Sequence, residues 1–243
     1  MSAAGIGLAG QVAIVTGAGR GIGHAIATAF AREGATVVLA ARTRQELAAT
    51  AAAIRESGGT ALAIPTDVTQ NGAIEAMIEQ ATSELGRVDT LVTAAGATSF
   101  RPVIGTKPAD WNAILSVNLR AVMVCCRAVL PVMIRQRRGT IINIASVAAQ
   151  RPIAGAAVYT ATKAGVVGFS RVLAEELRGD GVRVGVLIPG AVDTPLWDAI
   201  ANPPDRSRML RPEDVARAAV LMASLPPRAS LEELTLLPSG GIL

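Results

Sequence analysis

The chain has 243 residues, a net charge of +4, and a composition that is 51% hydrophobic and 2% aromatic. This length suits one large domain with a sizeable core. Scattered arginines with so few aromatic side chains argue against a nucleic-acid-binding surface. No run of 18 uncharged apolar residues occurs, so we predict no membrane span. The adjacent Cys125 and Cys126 do not suggest a disulfide framework, and no Cys, His and Asp cluster has metal-site spacing. With no basic leader in residues 1–10, a cytoplasmic protein is expected.

Short apolar runs alternate with longer helical patterns along the chain. The runs predict strands at residues 11–16, 36–41, 61–65, 88–94, 140–145, 182–188 and 234–237, and the patterns predict helices at 21–32, 43–57, 72–85, 111–133, 158–178 and 212–225. Continuous apolar strands joined by helical crossovers indicate a parallel sheet covered on both faces. We therefore predict an α/β fold: a Rossmann-type doubly wound parallel sheet of about seven strands, in a single domain spanning 1–243. The proline-containing residues 189–210 are predicted to form an excursion that acts as a substrate lid.

A glycine-rich stretch joins the first strand to the first helix. Its glycines, Gly17, Gly21 and Gly23, have the spacing G-x3-G-x-G rather than G-x-G-x-x-G. Glycines permit a tight turn and a close backbone approach to a pyrophosphate, which the following helix N-terminus attracts. A glycine loop alone is often only a turn, but one placed between a strand and a helix predicts dinucleotide binding.

The end of the second strand indicates which dinucleotide binds. A fold selective for NAD places an acid here to hold the ribose hydroxyls. This chain has no carboxylate in residues 39–43, and it has Arg42 instead. An arginine pairs with a 2′-phosphate in a forked geometry, and Arg20 in the glycine loop could approach the same group. NADP(H) is therefore the preferred cofactor and NAD(H) the alternative, unless Arg42 merely begins a solvated helix.

Tyr159 and Lys163 lie four residues apart in a helical pattern, so they share one face. A nearby ammonium lowers the pKa of a phenol. Lowering that pKa from ~10 to ~7 takes roughly 4 kcal/mol. Ser146, where the fifth strand ends, could hold a carbonyl or hydroxyl oxygen before the phenol. Together the three residues suit proton transfer, although an isolated Tyr–Lys pair is more often a solvated helix face.

These motifs, in this order, resemble those of the short-chain dehydrogenase/reductase family in its single-domain form. The resemblance extends to Asp67-Val68 after the third strand, to Asn118, and to Pro189-Gly190 followed by Thr194. It implies that the catalytic residues are Asn118, Ser146, Tyr159 and Lys163. With the loop reasoning above, it implies cofactor contacts from Gly17, Arg20, Gly21, Ile22, Gly23, Arg42, Asp67, Val68, Ala95, Gly96, Tyr159, Lys163, Pro189, Gly190, Val192 and Thr194.

The sequence departs from the family after the fourth strand. The family has Asn-Asn-Ala-Gly there, whereas this chain has Thr93, Ala94, Ala95 and Gly96. In the family the asparagines support the sheet and the adenosine side of the cofactor. Thr93 is expected to retain one hydrogen bond, and backbone contacts from Ala95 and Gly96 need no asparagine.

The resemblance implies an enzyme that interconverts a carbonyl and a secondary alcohol by hydride transfer, with Tyr159 as general acid and base. The alternatives are an NAD-dependent alcohol dehydrogenase and a non-catalytic dinucleotide-binding regulator. Substrate contacts are expected from Ser99, Ala148, Gln150 and Trp197, and from Thr98, Phe100, Val147, Leu196 and Ile200. For each of them, simple packing of the lid is the alternative.

The expected partner is a small carbonyl or alcohol substrate, with no nucleic acid and no membrane. Relatives in the family are commonly tetramers. The resemblance therefore implies a homo-oligomer, a tetramer or dimer, built through the helices at 111–133 and 158–178.

Overall fold

The computed structural model describes residues 7–98, 100–200 and 203–242. Within them, seven strands form: β1 Val12–Thr16, β2 Thr36–Ala41, β3 Thr60–Pro65, β4 Thr90–Thr93, β5 Gly139–Ile144, β6 Val182–Pro189 and β7 Glu233–Leu236. They form one sheet in the order β3-β2-β1-β4-β5-β6-β7, and every neighbouring pair is parallel. The predicted doubly wound parallel sheet is confirmed, while its assignment to a single domain over 1–243 stays a prediction.

Helices connect the strands, because parallel neighbours cannot be joined by a tight turn. They are α1 Gly21–Arg32, α2 Arg44–Glu56, α3 Asn71–Leu85, α4 Pro108–Leu115, α5 Ala121–Gln136, α6 Ala157–Glu176 and α7 Pro212–Ser224. The start of α7 shows the local cause. Pro212 occupies the first turn, where a missing N–H costs little, and Asp214 Oδ2 accepts a hydrogen bond from Arg211 N at 2.8 Å.

Two apolar cores cover the two faces of the sheet. On one face, helices α3, α5 and α6 cover Ile14 of β1 and Ile141 of β5, which are fully buried. On the other, α1, α2 and α7 cover Val15 and Ile142 of the same two strands, which are also fully buried. Adjacent strand residues point to opposite faces. Burial on both faces is therefore the reason that the strands read as continuous apolar runs.

The strand order creates a crevice at one edge of the sheet. From β1 the chain proceeds outward to β2 and β3, and from β4 it proceeds in the opposite direction to β5, β6 and β7. At such a switch point the connections diverge, and ligands bind beyond the carboxyl ends of the strands. The glycine loop follows β1, and residues 94–98 follow β4, so both lie at this crevice.

The helix predicted at 111–133 is present within a longer helical stretch, Pro108–Gln136, which contains one local irregularity. Between α4 and α5 the chain forms a π-helical turn, Ser116–Arg120, in which Ala121 N donates to Ser116 O. Such turns insert one residue into a helix and are frequent at functional sites. Asn118 lies on this turn and is fully buried. The turn therefore determines where this side chain enters the crevice region.

The stretch Pro108–Gln136 is long and apolar enough, by length and composition, to cross a membrane. In this fold its inner face contributes Cys125 and Val129 to the core beneath the sheet. Its central turn carries the buried Asn118. The stretch therefore acts as a core element here, with apolar side chains such as Met123, 41% exposed, on its outer face.

Candidate active site

The glycine loop turns sharply between β1 and α1. Gly17 has φ +70°, and a Cβ there would stand 2.8 Å from Ala95 N. A Cβ on Gly23 would overlap the carbonyl oxygen of Gly17. One position requires a left-handed backbone and the other a close backbone contact, and only glycine supplies both. The spacing seen in the sequence thus has a steric cause in this fold.

The N-terminus of α1 suits the pyrophosphate of a dinucleotide. The first turn of α1 contains no acidic residue, and the N-cap residue, Arg20, makes no side-chain capping hydrogen bond. The first N–H groups of the helix therefore lack a side-chain acceptor, and they attract an anion together with the helix dipole. Ile22 packs against the core on the α1 side of the sheet. The residues at this helix N-terminus are therefore compatible with a bound phosphate group.

Two exposed arginines lie at the far end of the crevice. Arg42 follows β2 and is exposed. Arg20 is 66% exposed, and its Nη1 is 3.9 Å from Glu46 Oε1. An exposed ion pair at this distance contributes little free energy, so Arg20 stays available to an anionic ligand. Both guanidinium groups are therefore exposed and accessible to an anionic ligand.

Asp67 follows β3 and is fixed by the next turn. Thr69 N and Thr69 Oγ1 donate to Asp67 Oδ1 at 3.0 and 2.8 Å. The backbone hydrogen bond from Thr69 is the largest cause that lowers the pKa of Asp67, and the charge of Arg42 lowers it further. Val68 beside it is buried. The predicted Asp67-Val68 pair therefore lies at the same edge as Arg42.

The departure from the family's asparagines after β4 is compensated. Thr93 Oγ1 donates to Asn143 Oδ1 at 2.7 Å, which ties β4 to β5. The N–H groups of Ala94 and Ala95 donate to Thr16 Oγ1 at 3.1 and 3.3 Å, which ties the segment to β1. Thr93 thus forms the hydrogen bond expected of it. The backbone after β4 is anchored without an asparagine at either position.

Asn118 holds the segment after β4 against α6. Its Oδ1 accepts from Ala97 N at 2.8 Å, and its Nδ2 donates to Ala97 O at 2.8 Å and to Thr162 Oγ1 at 3.3 Å. Both hydrogens of the amide are therefore engaged. Through these contacts Asn118 links Ala97 to Thr162, the residue that precedes Lys163. Sequence analysis did not identify Thr162, since nothing in its local pattern marks it.

Lys163 is buried on α6, with only 6% of its surface exposed. Its Nζ donates to Ile144 O at 2.8 Å. A Cβ on the exposed Gly96 would stand 4.0 Å from this Nζ, so glycine leaves an opening from the crevice to the amine. Burial lowers the pKa of Lys163 to about 8, because the ammonium loses its hydration.

Tyr159 lies one turn before Lys163 and is half-buried. Burial raises the pKa of the Tyr159 phenol, and the Ser146 side chain partly opposes that rise. The expectation that Lys163 sets a low phenol pKa is therefore wrong for the free protein. Lys163 Nζ instead donates to Ile144 O and stands over the ring, 5.8 Å from its centroid. The phenol is protonated at neutral pH and is ready to donate its proton.

Ser146 stands where β5 ends and begins a short 3₁₀ turn, Val147–Ala149. Its Oγ accepts a hydrogen bond from Ala148 N at 3.2 Å. A hydroxyl that accepts from the backbone keeps its own hydrogen for another acceptor. The O–H of Ser146 is therefore available to an oxygen beside it, and in the free protein the Ser146 side chain interacts with the phenol of Tyr159.

Because the pKa of Lys163 is lowered in the folded protein, the free energy of unfolding should depend on pH. In the unfolded chain this lysine has its ordinary pKa of 10.5, so between about pH 8 and pH 10.5 the unfolded state binds the extra proton. Stability contributed by the neutral amine is then present above pH 10.5 and lost as the pH falls through 8. We expect the difference in unfolding free energy between wild type and Lys163→Met to shift by about 2 to 3 kcal/mol in favour of wild type from pH 7 to pH 10.

Urea unfolding of the two proteins at pH 7, 8, 9 and 10 measures this shift. Titrations shared by both proteins, such as those of the buried cysteines, cancel in the difference. A difference that stays flat across this range contradicts the lowered pKa.

The segment after β6 brings the predicted nicotinamide-side residues to the glycine loop. Pro189 ends β6, and a Cβ on Gly190 would press against Pro238 at 3.0 Å. Val192 pairs with Leu210 in an isolated parallel bridge. Thr194 is 9% exposed, and its side chain lies 3.4 Å from where a Cβ on Gly21 would be. The two predicted cofactor segments therefore meet, although they are far apart in sequence.

Arg206 fastens the excursion that follows β6, a role that the sequence alone did not predict. Its Nη2 donates to Thr194 O at 2.6 Å. Its guanidinium also pairs with Asp193 at 2.8 Å and with Asp198 at 3.0 Å. One side chain thus holds the excursion against the end of β6 and fixes the backbone of Thr194. Because its partners surround it only in the folded loop, local sequence gives no signal of this role.

We expect Arg206→Ala to loosen the lid and weaken dinucleotide binding. A charged donor to a carbonyl contributes about 1.5–3 kcal/mol, whereas exposed ion pairs contribute less than about 1 kcal/mol. The dissociation constant for NADPH should therefore rise about tenfold, and limited proteolysis should cut residues 193–208 faster. Arg208→Ala is the matched control, since it removes the same charge from an exposed neighbouring site. If Arg206→Ala and Arg208→Ala weaken NADPH binding equally, Arg206 does not hold the excursion in the way described.

The predicted substrate contacts have different outcomes in the structure. Ser99 lies outside the described residues. Ala148 is 1% exposed, so its side chain offers no surface to a substrate in this conformation, and Gln150 is exposed. Trp197 lies at the crevice, where its ring stacks on Phe100 with centroids 5.9 Å apart. Contact from Trp197 therefore has the strongest geometric support.

The profile of the short chain dehydrogenase family matches residues 11–204. The chain belongs to this family. A short-chain reductase named NovJ from Streptomyces niveus is 45% identical over 192 residues, which are 79% of this chain and 73% of that protein. The enzyme class predicted from the sequence, a short-chain NAD(P)-dependent dehydrogenase/reductase, is confirmed.

Solved structures of short-chain dehydrogenases agree. A metagenomic short-chain oxidoreductase in complex with NADP is 39% identical, with a TM-score of 0.85 over 96% of this chain and 98% of its own. A 7α-hydroxysteroid dehydrogenase complexed with NADH and 7-oxo glycochenodeoxycholic acid is 31% identical, with a TM-score of 0.91 over 98% and 96%. Members of this fold group therefore hold either nicotinamide dinucleotide.

Proposed function

We propose that this short-chain dehydrogenase interconverts a ketone and a secondary alcohol, with NADP(H) as the preferred cofactor and NAD(H) as a weaker substitute. One observation carries the proposal. Tyr159, Ser146 and Lys163 converge at the crevice near the glycine loop, with a protonated phenol that interacts with the Ser146 hydroxyl and with Lys163 Nζ near its ring.

The cofactor would be held along the crevice by residues at both ends. The glycine loop and the N-terminus of α1 would bind its phosphates, and Arg20 and Arg42 would bind the 2′-phosphate. Thr194 and Pro189 would bind the nicotinamide end. When bound, the nicotinamide supplies a hydride to a carbonyl carbon or removes one from a carbinol carbon. NADP and NADH bound to the two related structures support this choice.

The side chains supply the proton and the polarisation. Ser146 donates its O–H to the substrate oxygen and holds it before Tyr159. As the carbonyl double bond breaks and charge develops on oxygen, Tyr159 donates its phenolic proton there. The alcohol leaves with one added hydride and one added proton. The buried ammonium of Lys163 then stabilises the phenolate that remains, since opposite charges interact strongly away from water.

The pH dependence follows from the same groups. Below about pH 8 Lys163 carries its charge and Tyr159 carries its proton, which suits reduction. Oxidation of an alcohol requires a phenolate to accept the proton, and its population rises with pH. Reduction should therefore be fastest below about pH 8, and oxidation should gain rate only as the pH rises towards the raised pKa of the phenol.

A substrate panel tests the proposal. Purified protein is assayed with NADPH and with NADH against small ketones, keto esters and ring ketones, by the loss of absorbance at the reduced nicotinamide band. Oxidation of NADPH that depends on a ketone supports the proposal. If both dinucleotides bind and no ketone or alcohol is turned over, the regulator alternative replaces it. If turnover is faster with NADH than with NADPH, the NAD-dependent alcohol dehydrogenase alternative replaces it.

We also propose that subunits associate through the outer faces of α4, α5 and α6. Leu115, Met123 and Val172 are 38%, 41% and 60% exposed on these helices, which is costly for apolar side chains left in water. The buried free thiols of Cys125 and Cys126 agree with a reducing, cytoplasmic setting.

A further inference from the structure

Aromatic side chains are concentrated at the candidate active site. The chain has two Trp, one Tyr and three Phe. Three of these six side chains, Phe100, Tyr159 and Trp197, form one connected group at the crevice. They come from three different parts of the chain: the segment after β4, α6 and the lid. In a protein with so few aromatic residues, their meeting at one place calls for a physical reason.

Phe100 is the centre of this aromatic wall. Its ring stacks on Trp197 with a centroid separation of 5.9 Å and an interplanar angle of 19°. It faces Tyr159 at 6.5 Å with an angle of 38°. Both separations lie in the range in which aromatic pairs attract one another. The wall therefore begins at the proton donor and extends to Trp197 as a connected group of aromatic rings.

Hydrogen bonds to the backbone hold two parts of the wall, the Trp197 ring and the segment that carries Phe100. Trp197 Nε1 donates to Val192 O at 2.8 Å, which fixes the indole in its stacking contact with Phe100. Arg101 N, next to Phe100, donates to Gly155 O at 2.8 Å, which ties the Phe100 segment to the loop before α6. A preorganised aromatic surface stacks with little loss of side-chain freedom. Its shape selects a flat ring.

A polar side chain lies two residues before Phe100 in the chain. Thr98 Oγ1 is buried and has no hydrogen-bond partner among the residues described. Buried hydroxyls are normally hydrogen-bonded, so this group suits a ligand that presents a polar atom next to an apolar body. An aryl ring attached to a carbonyl has that form, because conjugation keeps the ring and the carbonyl in one plane.

We propose that the preferred substrates are aryl ketones, or the matching benzylic alcohols, whose ring stacks on the wall formed by Phe100 and Trp197 while the carbonyl oxygen meets Tyr159. The inference rests on the proposed carbonyl reduction and specifies its substrate class. Aromatic stacking beyond simple apolar burial corresponds to a factor of about 3 to 10 in binding per ring pair. Selectivity for a planar ring over a saturated ring of the same size should be of that order.

The kinetic test compares 1-phenylethanone with 1-cyclohexylethanone, which differ in the planarity of the ring. We expect wild-type kcat/KM to favour the phenyl ketone about tenfold. Trp197→Leu and Phe100→Leu, which keep an apolar side chain, should reduce that preference to within about twofold. Trp111→Leu is the control, since Trp111 donates to Thr106 Oγ1 at 2.7 Å on the entry to α4, outside the wall. Equal kcat/KM for the two ketones in wild type overturns the proposal.

A binding test separates this inference from the proposed reaction. Benzamide and cyclohexanecarboxamide have the same ring difference and cannot be reduced in this way. In a Trp111→Phe background Trp197 is the remaining tryptophan, so its fluorescence reports the wall directly. Quenching by benzamide at a concentration about tenfold lower than by cyclohexanecarboxamide supports the aryl site, even in Tyr159→Phe protein or if no ketone is turned over. Equal quenching by both amides overturns it, whether or not ketones are reduced.

Discussion

Tyr159→Phe is expected to lower kcat for ketone reduction by about a hundredfold to ten-thousandfold, the range that general acid–base catalysis contributes. The substitution removes only the hydroxyl and keeps the ring that contacts Phe100. Because burial raises the pKa of this phenol, wild type holds the proton at neutral pH, and the variant has no group to replace it. The measurement is steady-state reduction with NADPH at pH 7.

Binding distinguishes loss of chemistry from loss of structure in this variant. NADPH titration by fluorescence should give a dissociation constant within about twofold of wild type, since the glycine loop and the arginines are untouched. Turnover within tenfold of wild type would contradict the assignment of Tyr159 as proton donor. A large loss of both turnover and NADPH affinity would indicate a structural role instead.

Arg42→Ala is expected to weaken NADPH binding by about 10-fold to 100-fold and to leave NADH binding within about twofold. A hydrogen bond to a charged group contributes about 1.5–3 kcal/mol, and NADH lacks the 2′-phosphate that would accept it. Arg42 is exposed at the end of β2, beside an Asp67 whose low pKa the arginine helps to maintain. Parallel titrations of wild type and variant with both dinucleotides measure the effect.

Arg44→Ala is the matched control, because Arg44 is exposed two residues further on, at the start of α2. It changes the net charge equally but should leave the ratio of NADPH to NADH affinity unchanged. Raising the salt concentration should reduce the preference of wild type for NADPH, since exposed charge interactions are screened. An unchanged preference in Arg42→Ala would place the 2′-phosphate elsewhere.

The sheet and the glycine loop could be predicted from sequence because their signals are local. Apolar runs report burial on both faces, and the glycines report positions such as Gly17 where a side chain would collide with Ala95. The spacing of Tyr159 and Lys163 likewise follows from helix geometry alone. Such features leave a pattern within a few residues of the chain, even where the contact behind the pattern joins distant segments, as between Gly17 and Ala95.

The remaining details depend on contacts between distant segments. The π-helical turn presents Asn118 to Ala97, and Lys163 Nζ donates to a backbone carbonyl, Ile144 O. A backbone acceptor has no sequence signature. The sequence predicts a lowered pKa for Tyr159, whereas burial raises it. The effect of Lys163 on the phenol is weaker than expected because its amine donates to Ile144 O. Arg206 likewise donates to a backbone acceptor, Thr194 O, that leaves no pattern in the sequence.

Transfer of an isotopic label most directly tests whether this short-chain dehydrogenase moves a hydride between NADP(H) and a carbonyl carbon under the control of Tyr159. Wild type and Tyr159→Phe are incubated at pH 7 with 1-phenylethanone and NADPH deuterated at C4 of the nicotinamide, on each face in turn. The alcohol is then analysed by mass spectrometry. We predict one deuterium on the carbinol carbon from one of the two labelled faces in wild type, and almost no product in the variant. Product without label from either face, or equal labelled product in both proteins, would contradict the proposed function.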